Sequence, residues 1–173
     1  MIHTLQVAAL AERLIELYPN LDSDMLLTGV LLHDIGKIRG FNWQMDIDYT
    51  DYGRLLGHVV IGIEMIAPII DSILGFPPEL ALRVKHMVVS HHGRYEWGAP
   101  RRPKTVEAMA LHHLEDLDAQ VNRYDQILHA RLEPGQAWTE YDRLLRRSLY
   151  AGSGAQILPE DVTLSVEEAG HLS

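Results

Sequence analysis

Five histidines and one aspartate fall along this chain in a fixed order: His3, the pair His33-Asp34, His58, and the pair His91-His92. An acidic run, Glu115-Asp116-Leu117-Asp118, follows. Each group sits in or at the end of a stretch whose apolar residues recur at helical spacing. A fold that uses them together must therefore bring several helices to one point. Neutral imidazole and carboxylate are the donors that borderline divalent metals prefer. A lone histidine on a helix is ordinarily a core or surface residue. Two adjacent doublets at helix ends, two single histidines and a downstream carboxylate pair are hard to explain in that way.

The spacing predicts an all-α chain. Residues 5–17 read as an amphipathic helix with Glu12, Arg13 and Glu16 outward, broken by Tyr18-Pro19-Asn20. Asp22 or Ser23 caps the next helix, whose run from Met25 to Leu32 is apolar almost all round. That helix delivers His33 and Asp34 at its C-terminal end, where Gly36 is expected to stop it. Residues 38–53 look irregular, with a short extended segment around 45–49. A long helix over 54–74 carries His58. The segment Gly75-Phe76-Pro77-Pro78 ends it and opens another helix, with Pro78 suited to a first turn. This one carries His86 and ends in Ser90-His91-His92-Gly93. After a loop over 94–104 rich in Gly, Pro and Arg, Thr105 is a good cap for a helix to about residue 131. A last short helix is expected over 139–150. The expected organisation is one domain over 1–150 with a loosely ordered tail over 151–173.

Neighbouring residues on a helix point about 100° apart. The two members of a doublet therefore cannot chelate one metal in a regular helix without help from a turn, but they can serve two adjacent metals. Asp34, with two carboxylate oxygens, is the natural bridge. One metal would take His3, His33, Asp34 and a carboxylate from the fifth helix; the other would take Asp34, His58, His91 and His92. Paired metals about 3.5–4 Å apart can activate a bridging hydroxide and clamp a phosphoryl group.

With His3 before it and an acidic site after it, the string His33-Asp34-Ile35-Gly36-Lys37 resembles the HD superfamily of metal-dependent phosphohydrolases. Longer strings carry a closer resemblance: Tyr49 to His58, Lys85 to Gly93, Glu96 to Pro100, Leu111 to Ala119, and Trp138 through Arg146-Arg147 to Tyr150. Together they look like the HD module of the YhaM-type 3′-to-5′ exoribonucleases over residues 3 to about 150. The resemblance implies a helical bundle of about six helices and a role for Lys37 in contacting phosphate. It also implies that the last ligand is the first acid of an Asp-x-(apolar)-Asp pattern. This chain has Glu115 there, with Asp118 matching the second acid. The two lie three apart on one helix face, which Asp116 does not share. Glu115 is the expected ligand, and Asp118 a second ligand or its supporting partner. Those exoribonucleases carry an N-terminal OB-fold for single strands, and this chain starts two residues before its first ligand. It is expected to be an isolated HD module, a fragment, or a relative with another substrate.

The remaining polar residues divide less sharply. His112, three before Glu115, is a candidate to orient it or to meet phosphate. His86, His113, His129 and His171 read as structural or surface residues. Arg94, Arg101, Arg102 and Lys104 form the one dense basic loop, either a phosphate-binding patch or a solvated face. Within it, Tyr95 and Trp97 either stack on a base or anchor the loop.

Composition narrows the function classes. The formal net charge is −9, so the chain has no general nucleic-acid-binding charge and any phosphate affinity is local. The absence of cysteine excludes disulfides and thiolate metal sites and fits a reducing, cytoplasmic setting. No uninterrupted apolar run reaches the ~18 residues of a membrane span, and the first residues do not read as a signal peptide.

The expected function is metal-dependent phosphoester hydrolysis, closest to a 3′-to-5′ exonuclease-like phosphodiesterase on single-stranded nucleic acid or short oligonucleotides. Asp34 and Lys37 are its catalytic residues. Lys37, Arg94 and His112 are expected to bind substrate. Two divalent ions are expected, manganese first, with iron, cobalt, nickel or zinc as alternatives. The rival readings are a nucleotide or cyclic-dinucleotide phosphohydrolase and a non-catalytic metal- or nucleotide-binding regulatory module.

Overall fold

The structure, a computed structural model, describes residues 2–42, 48–131 and 135–152. The element order is α1 (Ile2–Leu17), α2 (Ser23–Leu32), α3 (Lys37–Gly40), β1 (Phe41–Asn42), β2 (Asp48–Tyr49), α4 (Asp51–Ser72), α5 (Pro78–Ser90) and α6 (Val106–Arg131). Tyr95–Trp97 forms a single 3-10 turn. The chain divides into two compact units, residues 1–120 and 121–173, with the division inside α6.

In the first unit, two helix starts follow the caps read from the sequence: Asp22 accepts the Met25 amide at 3.0 Å and Thr105 accepts that of Ala108 at 3.1 Å. Thr50, not read as a cap, accepts the Gly53 amide at 2.9 Å and starts α4 at Asp51 rather than at the expected residue 54. Pro78 occupies the first turn of α5. The core forms where one stripe from each helix meets: Val7 and Ala11, Leu26 and Val30, Ile66, Met87 and Val88, Ala108 and Leu111. α2 is less uniformly buried than its composition predicts, because Leu31 is 61% exposed.

Two glycines set the geometry around the histidines, for different reasons. Gly36 does not end α2 by turning left-handed; its φ is −64°, ordinary helical backbone. Residues 33–36 instead tighten into three-residue turns, with Ile35 N donating to Leu32 O and Lys37 N to Asp34 O. Gly36 is needed for room: a Cβ there would lie 1.9 Å from the His58 carbonyl oxygen and 2.6 Å from the Gly62 nitrogen. Gly57, in contrast, has open space around it but a φ of 73°. It breaks what reads in sequence as one continuous helix, so that α4 is two helical pieces across a kink, and His58 opens the second piece. α4 is also long and apolar enough, by length and composition, to cross a membrane. Here it packs on α3 and α5.

β1 and β2 pair antiparallel, Phe41 opposite Tyr49. The rest of the extended segment expected around 45–49 lies outside the described residues, as does the tail from residue 153.

In the second unit the helix expected over 139–150 does not form. Asp142, 1% exposed, accepts the amides of Leu144 and Leu145 at 2.9 and 2.8 Å. Its own backbone pairs with that of Arg147, and Trp138 bridges Tyr150. A side chain that bonds the following amides offers the backbone a turn in place of a helix. Arg123 supplies the counter-charge to that carboxylate at 3.3 Å.

Gly36→Ala should destabilise the protein by about 3 kcal/mol, because the added methyl meets backbone that cannot rotate away. Thermal unfolding should show Tm lower by roughly 6–12 °C. A Tm within two degrees of wild type would show that α3 and α4 are not held this closely.

Candidate metal centre

The ends of α2 and α5 use the same local device. The His33 ring is fully buried, and its Nδ1 lies 2.8 Å from the carbonyl of Val30. The His91 ring is 1% exposed, and its Nδ1 lies 2.7 Å from the carbonyl of Val88. His92 follows the pattern through the loop, with Nδ1 2.6 Å from the Trp97 carbonyl. A carbonyl oxygen only accepts, so each Nδ1 carries the proton and donates it. Each Nε2 is left as a bare lone pair.

The ring nitrogens gather in two groups. The Nε2 atoms of His58 and His91 lie 3.4 Å apart. Ligand-capable atoms of His58, His91 and His92 all fall within 4.8 Å of one another, and so do those of His3, His33 and Asp34. Asp34 stands between the two groups. Its Oδ1 is 3.5 Å from His58 Nε2 and 3.9 Å from His91 Nε2, while its Oδ2 is 3.4 Å from His33 Nε2. The doublet His91-His92 meets on one side, ring centroids 4.3 Å apart, because the helix ends there. The chain tightens at 90–93, where Gly93 N donates to Ser90 O, and this supplies the turn such a doublet needs.

The electrostatics favour a cation. Burial depresses the His91 pKa to about 2 and the His58 pKa to about 4, so both rings are neutral at ordinary pH. Burial acts to raise Asp34, but His33 and the Lys37 ammonium outweigh it and hold the carboxyl far below the usual carboxylate range. Lys37 Nζ donates to Asp34 Oδ2 at 2.5 Å. The His33 Nε2 atom is buried without any hydrogen-bond partner among the described residues. A buried acceptor with no donor is unfavourable by about 1–3 kcal/mol. A divalent ion accepted by these imidazoles and this carboxylate would relieve it, so the donor set fits such an ion.

α6 adds acids on one face. Glu115 is partly buried. Burial raises its pKa, His92, His33 and His3 act against that rise, and the Asp34 charge adds to it. Asp118, 6% exposed, lies 2.5 Å from His3 Nδ1 through Oδ2. Asp116 points elsewhere, accepting from Gln120 at 2.6 Å. His112 is buried on the same helix and donates through Nδ1 to the His91 carbonyl at 2.9 Å, so it braces the backbone of a candidate ligand.

The structure thus brings His3, His33, Asp34, His58, His91 and His92 together, with Glu115 within electrostatic reach and Asp118 on His3. Arg94 is exposed, its guanidinium 4.8 Å from the centre of the Trp97 ring. His86 accepts the Lys104 amide, a structural role. His113 is exposed, and His171 lies outside the described residues. The carbonyls of Val30, Val88 and Trp97 carry no side-chain signal, and sequence reasoning missed them.

An HD domain family model matches residues 1–120, ending where the first compact unit ends. The chain is 38% identical over 148 residues to the 3'-5' exoribonuclease YhaM of Bacillus pumilus, covering 86% of this chain and 46% of that protein. It is 39% identical over 151 residues to the protein of the same name from Shouchella clausii, covering 87% and 47%. For that of Bacillus subtilis the identity is 37% over 148 residues, covering 86% and 46%. The chain therefore spans just under half the length of these curated relatives. No solved structure matches it.

Removal of the α6 acids should separate their roles. Glu115→Ala should weaken manganese binding more than a hundredfold. Asp118→Ala, which frees His3 to turn, should weaken it about 10–100-fold. Asp116→Ala should leave it unchanged. Calorimetric titration and elemental analysis of the same preparations check this ranking, and a reversed order of Glu115 and Asp118 would transfer the ligand role to Asp118.

Proposed function

This chain belongs to the HD domain family, and from that premise we propose that it is a metal-dependent phosphodiesterase with 3′-to-5′ exonuclease-like action on single-stranded nucleic acid or short oligonucleotides. The observation that carries the reading is the pair of ligand groups, His3-His33-Asp34 and His58-His91-His92, with Asp34 facing both through its two oxygens and the unpartnered His33 Nε2 in the first. Two ions fit that arrangement better than one, since the donors fall in two groups and the seven candidates, Glu115 included, exceed the roughly four to six positions of one ion. Mixed imidazole and carboxylate donors suit manganese first, with iron, cobalt, nickel or zinc as alternatives. The 3'-5' exoribonuclease name of the relatives supports the diester and strand polarity.

In this reading His3, His33, Asp34 and Glu115 hold one ion, and Asp34, His58, His91 and His92 hold the other. Bound there, the ions supply an activated water nucleophile and neutralise charge building on the phosphoryl group. The protein does the rest. Asp34 fixes the spacing of the two groups through its two oxygens. The carbonyls of Val30, Val88 and Trp97 hold three rings in the tautomer that presents Nε2. Asp118 orients His3, and His112 steadies the His91 backbone. Lys37 places an ammonium at the edge of the site and transfers it from Asp34 to a phosphate oxygen when substrate is present.

A nucleotide phosphohydrolase is the second reading, favoured by the net charge of −9, which gives a long strand little to hold. Kinetics with manganese on bis(4-nitrophenyl) phosphate, short oligonucleotides and nucleoside monophosphates decide between them. Diesters should be hydrolysed. Asp34→Ala should abolish turnover together with both ions. Lys37→Ala should lower kcat about 100-fold with metal content retained. If monophosphates are cleaved while diesters of every length resist, the diesterase reading gives way to a nucleotidase.

A further inference from the structure

The loop over 94–104 concentrates four of the chain's 15 lysines and arginines, with Glu96 its single carboxylate. In a chain of net charge −9 this is a local reversal of sign. Its aromatic residues are open to solvent: Tyr95 is 53% and Trp97 45% exposed. Each carries a guanidinium on its ring. Arg94 lies 4.8 Å from the Trp97 centroid and Arg102 lies 5.1 Å from the Tyr95 centroid. An arginine stacked in this way keeps its N–H edges free for phosphate while its plane adds to the stack.

The exposure does not come from a loose segment. His92 holds the Trp97 carbonyl, the Ala99 amide bonds Arg94 O at 3.1 Å, Arg101 N bonds Val89 O at 3.3 Å, and Lys104 N bonds His86 Nε2 at 2.8 Å. Ala99 is buried beneath the turn. The loop is also continuous with the metal centre. His92 belongs to one ligand group, and the Trp97 ring lies 5.9 Å from that of His112, which bonds the His91 carbonyl.

We propose that this loop is the strand-binding rim of the site: Tyr95 and Trp97 stack on nucleobases next to the scissile diester, and Arg94 and Arg102 bond the adjoining phosphates. The inference rests on the phosphodiesterase reading above and adds to it where the chain grips a strand. Stacking tolerates any base, so the rim gives affinity for single strands with little sequence preference.

Two measurements separate this inference from that reading. The first is fluorescence anisotropy of a labelled single-stranded pentanucleotide with the full chain in EDTA, where nothing is cleaved. Tyr95→Ala and Arg102→Gln should each weaken binding about tenfold, and Tyr95→Phe should retain it. Arg102→Gln should also flatten the logarithmic salt dependence by about 0.7. The second is kcat/KM with manganese on the pentanucleotide relative to bis(4-nitrophenyl) phosphate, a ratio that should fall about tenfold in the same two variants. Circular dichroism checks folding; should Tyr95→Ala unfold, Arg102→Gln decides alone. An unchanged affinity and ratio in these variants overturns the rim, as does a loss that Tyr95→Phe shares. If the wild type binds strands in the stated pattern yet hydrolyses neither substrate, the rim stands and the hydrolase reading falls.

Discussion

Everything at the centre of this protein depends on a proton being held on the outer nitrogen of an imidazole. Val30, Val88 and Trp97 each offer a carbonyl that can only accept, and so force His33, His91 and His92 to turn a lone pair inward. Two of those carbonyls belong to residues three positions earlier, at the last turn of a helix whose final C=O groups have no partner within the helix. The unsatisfied end of a helix thereby becomes the part that orients a candidate ligand. This explains why the doublets sit at helix ends: in mid-helix the same carbonyls would be occupied by backbone amides.

The surrounding fold serves that arrangement through backbone proximity. Gly36 lets the chain after α2 lie against the carbonyl of His58, and Gly57 turns the backbone just before that residue. Asp34, in the turn after α2, and His58, in α4, therefore come within 3.5 Å without any long side chain spanning a gap. Short, packed side chains lose little rotamer freedom when fixed, which suits a site whose donors must stay in register.

Much of this was legible in the residues. The helix starts at Asp22, Pro78 and Thr105 follow from capping chemistry, and the HD string with its spaced partners pointed to the family before any coordinates. What escaped is what side-chain pattern does not encode. Gly57 reads as a tolerated glycine inside an apolar period, yet its positive φ splits the helix. Gly36 reads as a stop signal, whereas its value is the absent methyl. Residues 139–150 have helical composition, but Asp142 bonds the amides ahead of it once Arg123 lets its charge be buried. That outcome depends on a residue 19 positions away. Sequence also does not separate Glu115 from Asp118, two acids on one helix face; in the structure Asp118 is the one that lies against His3.

A divalent ion taken up by the unpartnered Nε2 of His33, near the Nε2 atoms of His58 and His91 that lie 3.4 Å apart, would also couple folding to metal supply. An ion that binds the native arrangement and not the unfolded chain adds RT ln(1 + [M]/Kd) to stability, about 2.7 kcal/mol per site at a hundred times Kd. For a domain of ordinary marginal stability that is a large share of the total. The steady-state abundance of such a protein in a cell would then track free metal through proteolysis of the unfolded fraction, independently of any turnover.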